Sequence, residues 1–191
     1  MRFAVGCLFG ILIAIVAPFV LLLAGLFDMG ALRGGGVPEL VLGEWAVDRW
    51  MDAQAPLEEL EPDDPEAAWE QGLALYAASC VQCHGAPQVD PADWAQTMVP
   101  HPPDLSHSND RLTEAQIAFV TTEGIRLSGM PAYGQIHSED EIRHIARFVR
   151  DIERITPAHR ERLQRAAHRP QAQAIPASPT HQARQATPPD P

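Results

Sequence analysis

The chain has 191 residues, a formal net charge of −11 and a sequence pI near 5.0, and it contains no Lys at all. A charge this negative argues against nucleic acid as a partner, because phosphate backbones are bound through clustered Lys and Arg. Three Cys are too few for a disulfide framework or a four-thiolate zinc site.

Residues 3–27 carry no charge over 25 positions, with Arg2 before them and Asp28 after them. As a helix this run would extend about 37 Å, enough to cross a hydrocarbon core of about 30 Å with some tilt. Signal peptides have shorter apolar regions of about 7–15 residues, and Met29-Gly30-Ala31 is a poor cleavage site. The expectation is an uncleaved transmembrane anchor over residues 1–30, its positive end in the cytoplasm. Cys7 lies within the run and reads as a small buried hydrophobe.

Residues 31–64 come next. Gly34-Gly35-Gly36 and Pro38 mark a hinge. Residues 40–55 place Leu42, Trp45, Ala46, Trp50 and Met51 on one side and Glu44, Asp48 and Asp52 on another, an amphipathic helix. Such a helix can dock on the following domain, lie on a membrane or contact a partner. Its acidic face speaks against a membrane surface, which favours Lys and Arg. Residues 56–65 form an acidic, Pro-containing linker.

A broad apolar face at Ala68, Trp69, Leu73, Leu75 and Tyr76 predicts a helix over residues 65–79. It leads into Cys80-Val81-Gln82-Cys83-His84, the most informative residues in the chain. C-x-x-C-H is the attachment pattern of a c-type haem. Two thiols one short turn apart each add to a vinyl group of the porphyrin, and the His that follows becomes an axial ligand of the iron. A thioredoxin-like site would need a preceding strand, and a zinc site would need a second pair of soft ligands. Neither is present, since the only other Cys is Cys7.

The second axial ligand of such a six-coordinate haem is a Met in electron carriers. Met98 follows His84 by 14 residues and Met130 by 46. A segment that has crossed over the porphyrin favours the longer separation. Met130 also lies in Ser128-Gly129-Met130-Pro131-Ala132-Tyr133-Gly134, a loop punctuated by Gly and Pro, where a Met has little reason to be core filler. The sequence therefore favours Met130 over Met98 or a His as ligand. His101, His107 and His137 read as polar loop residues, with His107 a conceivable replacement ligand.

Thr113 with Gln116 and Ser138 with Glu141 are capping boxes that open two further helices. Gly124 is placed to end the first of these. The second carries Ile142, Ile145, Phe148, Val149 and Ile152 on its core face, and Pro157 reads as its stop. No stretch alternates well enough for a strand. Residues 157–191, rich in Arg, Gln and Pro, read as a tail, disordered from His168 onward.

The segment over residues 65–155 resembles a class I, single-haem cytochrome c. Gly72 and Tyr76 ahead of the attachment motif, the turn Pro103-Asp104-Leu105, the Met130 loop and Phe148 carry the likeness. The pattern Gly-x-Arg-x-x-Gly-Met-Pro-Ala-x-Gly is similar to membrane-anchored bacterial members. The resemblance implies an all-α haem domain of three to four short helices over residues 65–156, preceded by a single N-terminal transmembrane helix. It implies one covalent haem c with its iron between His84 and Met130. The carbonyl of Pro102 or Pro103 would accept a bond from the His84 ring, Leu105 would touch the porphyrin and Phe148 would pack on Gly72. Arg126 is a candidate partner for a haem propionate, and a surface Arg otherwise.

The function implied is single-electron transfer, not enzymic catalysis, because no acid, base or nucleophile constellation accompanies the motif. Expected partners are a quinol-oxidising complex or a dehydrogenase, and a terminal oxidase, met at the periplasmic face of a bacterial inner membrane. The alternatives are a haem subunit of a larger oxidoreductase, or a sensor or peroxidase with a labile sixth ligand. Arg143, Arg147, Arg150 and Arg154 share one helix face, readable as a solvated face or as a docking patch for an acidic partner.

Overall fold

The structure is a computed structural model that describes residues 2–26, 30–33, 36–56, 64–107 and 111–170. It divides into two compact units, Met1–Gly34 and Gly35–Pro191. Among the described residues there are seven α-helices and no strand, only an isolated bridge between Ala86 and Val89. The protein is all-α, as its helical periodicities predict.

The first unit is helix α1, Arg2–Leu23. It stops short of the expected Phe27 because Gly25 takes φ +68°. Leu26 N–H then donates to Leu21 O and Gly25 N–H to Leu22 O, a double closure of the last turn that needs a left-handed residue. Among the described residues no helix is long and apolar enough to cross a membrane.

The second unit begins with α2, Val37–Gln54, in which Pro38 sits in the first turn instead of in a hinge. Its C-terminal half docks on the following domain. Met51 is buried, Trp50 meets Phe119 with ring centroids 4.7 Å apart, and Asp52 accepts a bond from Gln116 Nε2 at 3.1 Å. Val41, Leu42 and Trp45, nearer its start, are exposed. Most of the expected linker, residues 57–63, lies outside the described residues.

Helix α3, Pro65–Ser79, is capped by Asp64, whose carboxylate accepts from the Glu66 and Ala67 amides. It crosses α6, Glu139–Arg150, and Gly72 makes that crossing possible. A Cβ there would collide with the His144 carbonyl and come within 2.7 Å of Phe148 Cβ. Trp69, Leu73, Tyr76, Ile145 and Phe148 fill the crossing, all essentially removed from water. Phe148 contacts Trp69 and Tyr76 at centroid distances of 5.2 and 5.0 Å. Helix α5, Glu114–Glu123, packs on α6, and both open on the capping boxes read from the sequence. Gly124, at φ +65°, closes α5.

One expectation is overturned. Pro157 does not open a tail: Pro157–Ala167 is helix α7, with Pro157 in its first turn and Thr156 as N-cap. Proline fits there because that amide has no intrahelical partner to lose. Thr156 and His159 form a capping box in which His stands where Glu or Gln is usual. Leu163, Ala166 and Ala167 are buried against the core, and α7 packs on α3 and on the short helix α4, Val81–His84. Residues 171–191, the rest of the expected tail, lie outside the described residues.

Candidate haem-binding site

The attachment motif is built on one turn. Helix α3 ends at Ser79 and α4 restarts at once, with the Cys83 and His84 amides both donating to Cys80 O at 3.0 Å. Gly85 ends the turn at φ +63°, where a Cβ would approach Val89 O within 2.5 Å. Only glycine allows the chain to leave so sharply. Tyr76 Oη donates to Gly85 O at 2.7 Å and pins this exit to α3. From the other side Gln82 Nε2 donates to Arg169 O at 2.8 Å, just beyond α7.

Cys80 and Cys83 are not joined to each other in a disulfide. Burial, with a smaller contribution from Cys83, pushes the Cys80 thiol up to about 12. Burial also raises Cys83.

His84 Nδ1–H donates to Pro103 O at 2.9 Å. A carbonyl can only accept, so this bond fixes the tautomer and leaves Nε2 with a lone pair for a metal. Burial lowers the His84 pKa, partly opposed by the Pro103 carbonyl and by Asp104, so burial favours the neutral ring an iron needs. Asp104 is itself held below the usual carboxylate range, chiefly by Ser106. Pro103 is exposed, and Leu105 is half-buried against the core.

Met130 lies in a loop braced from within. Ile125 N–H donates to Met130 O at 3.1 Å, Met130 N–H to Ser128 Oγ at 3.1 Å, and Ser128 Oγ–H to Ile125 O at 2.8 Å. Met98 also reaches this loop, its methyl so close to Gly129 that a Cβ there would collide with it. The structure thus brings the Met98 side chain to the loop that carries Met130. Arg126 is exposed on the same loop. His107 is exposed and pairs with Glu153 at 3.2 Å.

His137 is not the polar loop residue its sequence context suggests. Its side chain is 6% exposed, bonded through Nε2 to Ser79 Oγ at 3.1 Å and stacked on Tyr133. Tyr133 Oη donates to Ser79 O at 2.7 Å, a contact no local pattern announces.

Two thiols and an oriented imidazole stand on one turn, the residue types that covalent attachment of a haem requires. The family model described as cytochrome c oxidase, cbb3-type, subunit III, matches residues 67–149. These residues are a c-type cytochrome domain. No curated protein and no solved structure matches the chain. The cytochrome domain carries covalently bound haem c with its iron. The helices α3 to α6 and the attachment turn all fall within or beside the match, whereas α1, α2 and α7 lie outside it. The domain's chemistry is haem-based electron transfer.

Proposed function

We propose that the chain is a membrane-anchored electron-transfer protein of the bacterial periplasm, with its haem iron held by His84 and Met130. The observation that carries this reading is the His84–Pro103 bond at 2.9 Å beside Cys80 and Cys83, which fixes an imidazole for axial ligation. The group supplies a reversible one-electron couple when bound. The protein's residues would hold it: Cys80 and Cys83 would prevent its loss, His84 would ligate the iron, and Met130 as the second ligand would raise the potential. Leu105 is the candidate porphyrin contact and Arg126 the candidate propionate partner. Support for the anchor comes from the sequence alone, in the uncharged stretch from residue 3 to residue 27. Tethering confines the search for redox partners to the membrane plane and raises their effective concentration. Those partners are a quinol-oxidising complex or dehydrogenase as donor and a terminal oxidase as acceptor.

The ligand test is the far-red band of a Met–Fe(III) bond in the oxidised spectrum. The band is expected in the parent and in Met98→Leu, and lost in Met130→Leu. Loss in Met98→Leu alone would transfer the role to Met98. A haem-loaded parent without the band would favour a labile sixth ligand, and rapid carbon monoxide uptake at neutral pH would then mark a sensor or peroxidase.

A second reading has a specific observation behind it: the matching family model is named for an oxidase subunit. Gentle solubilisation of the membrane separates the two. Migration with an oxidase would make the chain a subunit, and migration alone a free carrier.

A further inference from the structure

Ser79 is the last residue of α3 and immediately precedes the attachment motif. Two side chains that follow Met130 in the chain converge on it. Tyr133 Oη donates to its carbonyl at 2.7 Å, and His137 Nε2 lies 3.1 Å from its hydroxyl. The two rings stack with centroids 5.8 Å apart. They belong to one closed turn, since the amides of Ile136 and His137 both donate to Tyr133 O at 2.8 Å. Glu141, 3.5 Å from His137 Nδ1, also accepts from the Ser138 amide at 2.8 Å and so ties the turn to the start of α6.

The opposite side of this segment is equally constrained. At Gly124, a Cβ would come within 2.6 Å of the Pro131–Ala132 backbone, and at Gly134 within 2.8 Å of Thr122 Cγ2. Residues 131–134 are therefore pressed against the end of α5 on one side and bonded to the end of α3 on the other. Among the described contacts, the Tyr133 and His137 bonds to Ser79 link this segment directly to the residue ahead of Cys80.

We infer that Tyr133, His137 and Ser79 form a clasp that positions the Met130 loop against the haem attachment turn and so governs how readily the sixth ligand yields to a competitor. The inference rests on the reading of Met130 as that ligand. A neutral thioether is a replaceable ligand, so its hold depends on how rarely the loop carrying it moves away. Preorganisation of that loop by bonds to a fixed point lowers the population of the displaced state. Tyr133 and His137 are positioning residues: they act through the loop and not on the iron.

The test titrates imidazole, a competing ligand, into the oxidised, haem-loaded full chain and follows loss of the far-red band. Tyr133→Phe removes one bond and keeps the ring; Ser79→Ala removes the His137 bond with little change in shape. Each is expected to tighten apparent imidazole binding by about fivefold to tenfold, the range for one buried hydrogen bond. Leu163→Ala serves as the control, because it removes packing from α7, outside the clasp. Unchanged imidazole affinity in both clasp variants would overturn the inference. So would an equal gain in Leu163→Ala, which would assign the effect to global loosening. A parent without the band would instead refute the ligand reading, a distinct result.

Discussion

Replacing Gly72 by Ala sets two physical effects against each other. On helix propensity alone, Gly→Ala in a helix interior stabilises by about 1 kcal/mol. At Gly72, however, the new Cβ would collide with the His144 carbonyl and crowd Phe148 Cβ. The first obstacle is backbone, so no rotamer change relieves it and α6 must move off α3. Overpacking of this kind costs about 1–3 kcal/mol, and a backbone obstacle belongs at or above the top of that range. The net effect is a loss of about 2 kcal/mol, or about 8–16 °C in midpoint for a domain of this size. Gly43 supplies the comparison: it lies in α2, where an added Cβ would meet nothing within 4 Å, so Gly43→Ala should leave the midpoint unchanged or raise it. Thermal unfolding of the haem-loaded chain, followed by far-UV circular dichroism, reads both. A Gly72→Ala midpoint that rises as Gly43→Ala does would refute the close α3–α6 crossing.

The packing of α7 predicts that Leu163→Ala costs about 2–5 kcal/mol, and that ending the chain before Thr156 costs at least as much; denaturant unfolding measures both, and a truncated chain of parental stability would return residues 157–167 to the status of a tail. In the haem-free chain Cys83 should react with iodoacetamide well before Cys80, because Cys80 is buried and its thiol is pushed up to about 12. Equal labelling in the folded state would contradict that burial. The lowered pKa of His84 gives the haem-free chain a pH dependence of defined sign. The unfolded ring takes up a proton near its ordinary value of about 6.5 while the folded ring resists, so stability is present above that pH and is lost as pH falls below it. Denaturant midpoints measured from neutral to mildly acidic pH should decline, and His84→Gln should flatten the decline.

The features legible in the sequence are those encoded locally. The attachment pentad, the two capping boxes at Thr113 and Ser138, and the glycine that ends α5 each declare themselves within a few residues. Helix α7 does not, because Leu163 is its only large apolar residue and its remaining core contacts are alanines. A proline reads as a stop or as a first-turn residue depending on its neighbours, and here Thr156 with His159 decides. The role of His137 is hidden for a different reason: its partners come from 58 positions earlier, at Ser79, and from the turn at Tyr133. The same limit applies to the two thioethers, since sequence separation ranks Met98 and Met130 but cannot foresee that Met98 reaches Gly129.

Three of the four arginines read as one face, Arg143, Arg147 and Arg154, are paired within the fold. Arg143 bonds Asp140 at 2.8 Å within its own helix. Arg147 bridges to Glu114 at the start of α5 at 3.1 Å. Arg154, in the turn beyond α6, bonds Glu66 at the start of α3 at 2.7 Å and lies 5.3 Å from the centre of the Trp69 ring. Two of these pairs join α6 or its C-terminal turn to a neighbouring helix N-terminus, where a carboxylate is already favoured by the helix dipole. At these three positions an acidic partner would have to compete with carboxylates already in place. Arg147 gives the sharpest test, because its side chain is 22% exposed and that of Glu114 only 13%. Removing the guanidinium would take a 3.1 Å ion pair from a mostly buried carboxylate, a loss of up to about 3 kcal/mol, below the cost of breaking a fully buried pair. Arg147→Ala should therefore lower the unfolding midpoint, and Glu114→Gln in the same background should restore part of it. Electron-transfer rates with an acidic redox partner should keep their salt dependence in the double variant. A stable Arg147→Ala protein with a flattened salt dependence would reverse the assignment and make the stripe a docking surface after all.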